Sequence, residues 1–362
     1  MKTLRIYAFS LLATAAIWAG VGAVAGLSAL LAVIVLTVLE VTFSFDNAVV
    51  NSKLLTSMSP FWQRLFMTVG ILVAVFAVRF ALPIGIVALT AGLGFGEVID
   101  LAVHHPAEYS AELAKAGPLI DAFGGTFLIM IAIGFFLDGS KQVHWIGWLE
   151  RRLAPLGRYD NVGILAMIAA ALVMVSTVDG PAEERLTVLI AAACGIALHM
   201  ALDIFGAVVD GDDEDAPERP AAGRAKVLVG AAAAVMFARL EVLDASFSFD
   251  GVIGAFAISS SVLVIMAGLG AGALWVRSMT VHLVRAGTLA RYQYLEHGAH
   301  WAIAVLGGVM LAKLYDVEPP EWVTGSIGLV LIAASVLSSV VMRRRSSVVA
   351  TDPARLVEAA AR

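Results

Sequence analysis

Residues 40–47 read EVTFSFDN, and residues 244–251 read DASFSFDG. Each stretch lies inside a long apolar run. Each places an acid six positions before an aspartate: Glu40 before Asp46, and Asp244 before Asp250. Phe-Ser-Phe-Asp recurs at 43–46 and 247–250, and the likeness continues downstream. Gly70 lies nine residues before Arg79, as Gly268 does before Arg277, and Gly124 and Gly298 each open the next helix. A unit of about three helices is therefore used twice. The helices that hold the two motifs are five spans apart, an odd number, so the copies enter the membrane in opposite directions. Inverted repeats of this kind are typical of secondary transporters, with the substrate site near the midplane where the copies meet.

The rest of the chain fits a bilayer. Of its 362 residues, 60% are hydrophobic and only 15% are charged, where an average soluble domain carries roughly 25% charged residues. A water-soluble fold could not hide so much apolar surface, which excludes a soluble enzyme and a disordered chain. The net charge of -5 argues against a nucleic-acid partner. Cys194 is the single cysteine, so an intrachain disulfide and a thiolate metal cluster are both excluded. No Walker loop, dinucleotide fingerprint or zinc-protease motif is present, and no nucleophile–base pair with usable spacing suggests an enzyme.

At about 20 apolar residues per crossing, the sequence predicts an all-α, polytopic helical bundle of about ten spans. They run near 6–26, 28–52, 65–94, 119–137, 161–178, 185–208, 227–257, 259–280, 298–314 and 322–342. Nineteen of the 24 Lys and Arg fall on one side of this arrangement and three on the other. The positive-inside rule then puts both termini in the cytoplasm of a multi-pass protein of the cell membrane. Five segments follow. Residues 1–27 form a first span, read as retained although Ala23-Val24-Ala25 resembles a cleavage site. Residues 28–209 hold the first repeat and two bracing spans, and 210–226 are an acidic cytoplasmic linker. Residues 227–342 hold the second repeat and the last span, and 343–362 are a basic cytoplasmic tail.

Glu40, Asp46, Asp244 and Asp250 are the candidate site. One such acid at a helix centre costs about 2.5–3.5 kcal/mol on insertion scales. A sequence that carries this burden in matched positions is using it. Six residues turn a regular helix through about 600°, leaving the two acids of one copy about 120° apart. They converge only if the helix is unwound between them or a partner helix fills the gap. Glu40, Ser44, Asn47 and Asn51 share one face, as do Asp244, Ser248 and Gly251, with Glu241 close by. Two antiparallel copies could surround one divalent cation with oxygen ligands, and the excess negative charge would draw in protons as a coupling ion. The opposing reading pairs these acids with Arg79 and Arg239 to lock the fold. His199 and Asp203, four apart on one helix, are auxiliary candidates as a ligand pair or proton relay. Glu296, His297 and His300 read as an interfacial polar cluster. His104 and His105, with Glu108 and Glu112, read as plain loop residues.

At its paired motifs the chain resembles the TerC superfamily of membrane proteins, and more closely the branch called domain of unknown function 475. The family's first motif, Glu-five residues-Asp-Asn, matches Glu40, Asp46 and Asn47. Its second, Asp-five residues-Asp-Ser followed by Phe-Ala, matches Asp244, Asp250 and Phe256-Ala257, with Gly251 in place of the serine. The resemblance implies export of manganese or a related divalent ion, with a link to tellurium resistance. It carries the ion-binding role to Glu40, Asp46, Asn47, Asp244 and Asp250. The wider group includes LysE-type exporters, which leaves a cationic organic solute as an alternative substrate, and a membrane scaffold for metal or tellurium stress as another function. The cation is expected as cargo, with no tightly bound cofactor.

Overall fold

A computed structural model describes residues 2–70, 72–139, 141, 143–159, 161–211, 227–256, 258–287, 291–317 and 319–350. Most of the acidic linker and the end of the C-terminal tail lie outside this set. The described chain is helical throughout, and its one β-type contact is an isolated bridge between Met58 and Leu228.

The first helix, α1, runs Lys2–Phe43. Drawn straight, 42 residues would reach about 63 Å, twice the thickness of a hydrocarbon core. The chain avoids this at Gly26, whose φ of 84° and ψ of -176° leave the helical region. Only glycine adopts that conformation without strain. The two arms fold back on each other. Trp18 Nε1 donates to Thr37 Oγ1 at 3.4 Å although the residues are 19 apart in sequence. The first two expected spans are thus the two arms of a hairpin.

Beyond α1 come α2 (Phe45–Thr56), α3 (Pro60–Leu65) and two π-helical segments, Phe66–Gly70 and Val73–Ala81. Then follow α4 (Leu82–Ala91), α5 (Phe95–His104), α6 (Pro106–Lys115) and α7 (Gly117–Leu137). Next are α8 (Gly147–Leu153), a 3-10 turn, α9 (Val162–Thr177) and α10 (Ala182–Gly211). The second half consists of α11 (Gly230–Ala255), α12 (Val262–Arg285), α13 (Leu295–Lys313) and α14 (Glu321–Ala350).

Six of these helical stretches are long and apolar enough to cross a membrane, or seven if a pair bent by 105° around residues 147–177 is one span. Part of the difference from ten is the α1 hairpin, which is a single helix by length. The rest has local causes. α9 has only 16 residues. α11 carries Arg239, Glu241 and Asp244 within its first 15 positions, and α13 opens on Glu296, His297 and His300.

α12 is the hub of the bundle. Ser10 on one α1 arm donates to Leu274 O at 2.8 Å, and Thr37 on the other donates to Gly268 O at 3.2 Å. Close approach depends on glycine. A Cβ on Gly272 would lie 2.4 Å from Glu40 Cβ, and one on Gly268 would lie 2.5 Å from Leu36 Cβ. Gly268 and Gly272, four apart, make the small-residue stripe that membrane helices use to bring backbones together.

Pairs between chain ends define two faces of the bundle. On one, Met58 meets Leu228, Lys53 pairs with Glu296, and Trp145 Nε1 donates to Ser338 Oγ at 3.1 Å. On the other, the end of α9 meets the end of α13, where Thr177 Oγ1 and Tyr315 Oη are 2.8 Å apart.

Candidate functional site

The first motif is positioned by a break in the helix. α1 ends at Phe43 and α2 begins at Phe45, with Ser44 between them at φ -98° and ψ 19°. The distortion falls between Glu40 and Asp46, and the helical hydrogen bonds from Ser44 N to Glu40 O and from Ala48 N to Ser44 O run across it at 2.9 and 3.3 Å. In the second copy α11 runs unbroken through 244–250. The side chains of Asp46, Ser248 and Asp250 lie outside the described residues, so those three expectations rest on the sequence.

Glu40 is 5% exposed. Arg79 Nη2 donates to its Oε1 at 2.5 Å, and Ser44 Oγ donates to the same oxygen at 3.1 Å. Arg79 is delivered by the second π-helical segment and also donates to Ala74 O at 3.1 Å. π-helical turns often mark functional sites because the extra residue re-aims a side chain. The other carboxylate oxygen, Oε2, faces the second motif: a Cβ added to Gly251 would lie 3.7 Å from it.

The second copy repeats this with a looser geometry. Arg277 Nη2 lies 3.8 Å from Asp244 Oδ2. It donates to both oxygens of Glu241 at 3.2 Å, and Nη1 donates to Phe66 O at 3.0 Å. The guanidinium also stacks over the Phe66 ring, 4.1 Å from its centroid. Matched acid thus pairs with matched arginine in both copies, Glu40 with Arg79 and Asp244 with Arg277. The copies also interlock. A Cβ on Gly70 would lie 2.5 Å from Arg277 Nη1, just as Gly272 makes room for Glu40.

Two sequence readings change here. Arg277, one of the nineteen basic residues counted on the cytoplasmic side near the end of the eighth expected span, is 3% exposed inside the bundle, because α12 continues two further turns to Arg285. Arg239, proposed as a partner for the motif acids, instead pairs with Asp203. His199 Nδ1 lies 3.1 Å from Asp203 Oδ2. Asp203 and Arg239 line a separate groove with Leu202 and Ala232, away from Glu40.

A cavity with about 100 Å³ of space for water ends on the first motif. Its polar floor is Glu40, Ser44 and Asn47, with Gly251 opposite. Its walls are largely apolar, among them Leu36, Ile258, Leu269 and Leu306, and the lining extends to Lys313 and Pro319. Asn51, on the same stripe, is 1% exposed, and its Oδ1 has no hydrogen-bond partner. Among the described residues no three His, Cys, Asp or Glu side chains cluster as a metal site. The floor offers one carboxylate oxygen plus hydroxyl and amide oxygens, a donor set that suits a hard cation.

Sequence reasoning missed Glu150, on α8 between the spans. It is 3% exposed and accepts from Trp145 N at 3.0 Å, Ile146 N at 3.1 Å and Trp301 Nε1 at 3.0 Å. His297 Nδ1 lies 2.9 Å away. Burial alone would raise its pKa, but the bonds from His297, Trp301 and the Ile146 N–H outweigh it and hold the carboxyl down at about 2. A lone glutamate followed by Arg151 and Arg152 carries no periodic or motif signal, so the sequence gives no means of finding it.

The geometry is that of a polytopic helical membrane protein with paired buried acid–arginine contacts beside a cavity. A family model described as protein of unknown function (DUF475) matches residues 45–346. The chain belongs to that family. No curated protein and no solved structure matches it.

Proposed function

We propose that the protein is a secondary transporter that moves a divalent cation such as manganese out of the cytoplasm through the cavity over Glu40. The observation that carries this reading is the cavity floor. Glu40 is held by Arg79 and Ser44 through one oxygen and turns the other toward Gly251 of the opposite copy. Glu40, Ser44 and Asn47 supply ligands, and Asp46 and Asp250 complete the set from the sequence motifs. Matched acid–arginine pairs support the inverted repeat, and the resemblance to TerC-type exporters supports the ion. Arg79 and Arg277 are then built-in counter-charges. They hold buried carboxylates at low cost, and an arriving cation competes with them, which makes binding weak enough for release. Protons serve as the coupling ion in this scheme.

Gly251 replaces the hydroxyl residue of the family pattern. A Cβ there would meet Glu40 Oε2 at an ordinary 3.7 Å, so a serine would fit and add a hydroxyl ligand. The test is manganese flux into proteoliposomes by the wild type and by Glu40→Gln. Flux in the wild type that is lost in a folded Glu40→Gln protein supports the proposal. No flux in a folded wild type contradicts it. The apolar wall of Leu36, Ile258, Leu269 and Leu306 favours one alternative, a LysE-like exporter of a cationic organic solute whose amine meets Glu40. Competition of manganese flux by lysine or arginine separates the two.

A further inference from the structure

The cavity is lined from Asn47 at one end to Lys313 and Pro319 at the other. Below that level α2 is packed solid. Ala48, Val49, Asn51 and Ser52 are each at most 1% exposed. Toward the far face lies a polar assembly drawn from four parts of the chain. Lys53, at the end of α2, pairs with Glu296 at the start of α13, both side chains partly exposed. One turn along, Glu150 takes hydrogen bonds from Trp301 and faces His297. The Glu150 segment is itself fastened to α14, through Trp145 Nε1 and Ser338 Oγ. His300 stacks on Phe135 of α7 with centroids 3.7 Å apart, which seals the seam between α7 and α13.

Two of these groups are costly. Glu150 and His297 are 3% and 4% exposed, and an acid in a connecting segment would ordinarily stay in water. Its burial is offset here by hydrogen bonds from Trp145 N, Ile146 N and Trp301 Nε1 and by His297 beside it. These contacts hold α8 against the start of α13. The unpartnered Asn51 Oδ1 lies on α2, one helical turn beyond Asn47 and just short of Lys53.

We propose that the Lys53–Glu296 and Glu150–His297 pairs form a two-part gate that closes the path between the Glu40 cavity and the face opposite Lys313. When it opens, α13 parts from α2, and Asn51 becomes the polar step between the two sides. The proposal rests on the transport reading, because a gate implies a path. It assigns the closed side of an alternating-access cycle to particular side chains, with the hairpin α1 and hub α12 as the standing body.

The test is side-specific labelling of the full-length protein in oriented vesicles. The background is Cys194→Ala, and the reporter is Ser44→Cys, which lies on the cavity floor. A membrane-impermeant methanethiosulfonate reagent is added from one face at a time. The wild-type gate should let the reporter react from the Lys313 face and protect it from the other. Lys53→Ala with Glu150→Ala should raise the rate from the protected face by about tenfold or more, as expected when a closed state loses its bias. Swapping charges, Lys53→Glu with Glu296→Lys, should restore protection. Equal labelling from both faces with the gate intact would overturn the proposal, as would an unchanged rate in the folded double variant. If the alanine variants do not fold, Glu150→Gln with His297→Gln asks the same question with smaller changes and is read the same way. Labelling needs no substrate, so a failed gate is distinguishable from a failed cation assignment, which shows only in flux.

Discussion

Arg79→Met removes the guanidinium from Glu40 and leaves the helix otherwise intact. The pair is at 2.5 Å with side chains 2% and 5% exposed, so solvent screens it little. Taking one partner from a buried ion pair costs about 3–5 kcal/mol, because the other charge stays buried and uncompensated. Ser44 Oγ, at 3.1 Å, donates to Glu40 Oε1 in the wild type and the variant alike, so it does not make up for the lost guanidinium. The single variant should therefore lose stability on that scale. Glu40→Met alone should lose a similar amount, for it strands Arg79. The double variant, Glu40→Met with Arg79→Met, replaces both charges by apolar groups of similar length and should return to within about 1–2 kcal/mol of the wild type. The assay is reversible unfolding in mixed detergent micelles, followed by circular dichroism, as a double-mutant cycle. A cost below about 1 kcal/mol for Arg79→Met, or a double variant that loses the sum of the singles, would refute a buried pair that neutralises the site. The same double variant should fold and yet carry no cation.

Other consequences are accessible to simpler measurements. Gly272→Leu should sharply reduce folded yield on gel filtration, since even its Cβ would lie 2.4 Å from Glu40 Cβ and 3.2 Å from Thr37 O. Gly251→Ser should be tolerated, because its Cβ meets Glu40 Oε2 at an ordinary 3.7 Å. Its hydroxyl should tighten manganese binding in calorimetry. Glu150 is depressed from 4.5 to about 2, so its contribution to stability is present above the unfolded value and lost as pH falls toward the folded one. Melting temperatures across the acid range should fall in the wild type, and Glu150→Gln should flatten that part of the profile. Gly26→Val should destabilise the α1 hairpin, because a branched side chain is strained at φ 84°.

The sequence made the periodic features legible. Apolar runs of the right length announced membrane helices, and the break near residue 27 appears at Gly26. The repeated Gly–Arg spacing marked Arg79 and Arg277, which sit at the paired acids, and Gly70, which lies against Arg277 and Glu241, whereas Gly268 packs on Leu36. What stayed hidden is what depends on long-range pairing. Glu40 and Arg79 are 39 residues apart, and no local pattern says that Arg79 turns toward that acid while Arg239 turns to Asp203. Arg277 looked like a helix-end charge because hydropathy falls there, although α12 continues. The Ser44 break has no glycine or proline to signal it. Glu150 acquires its role only when α13 brings Trp301 and His297 beside it.

The central claim is that the two motifs together bind a divalent cation, and equilibrium manganese binding to the purified protein tests it most directly. The wild type is compared with Glu40→Gln and with Asp46→Asn, Asp250→Asn, all shown to be folded. The account predicts saturable binding by the wild type, with release of protons, and loss of that binding in both variants. A folded wild type that binds no manganese, or variants that bind it as well as the wild type, would contradict the account and leave the buried acids as partners of Arg79 and Arg277 alone.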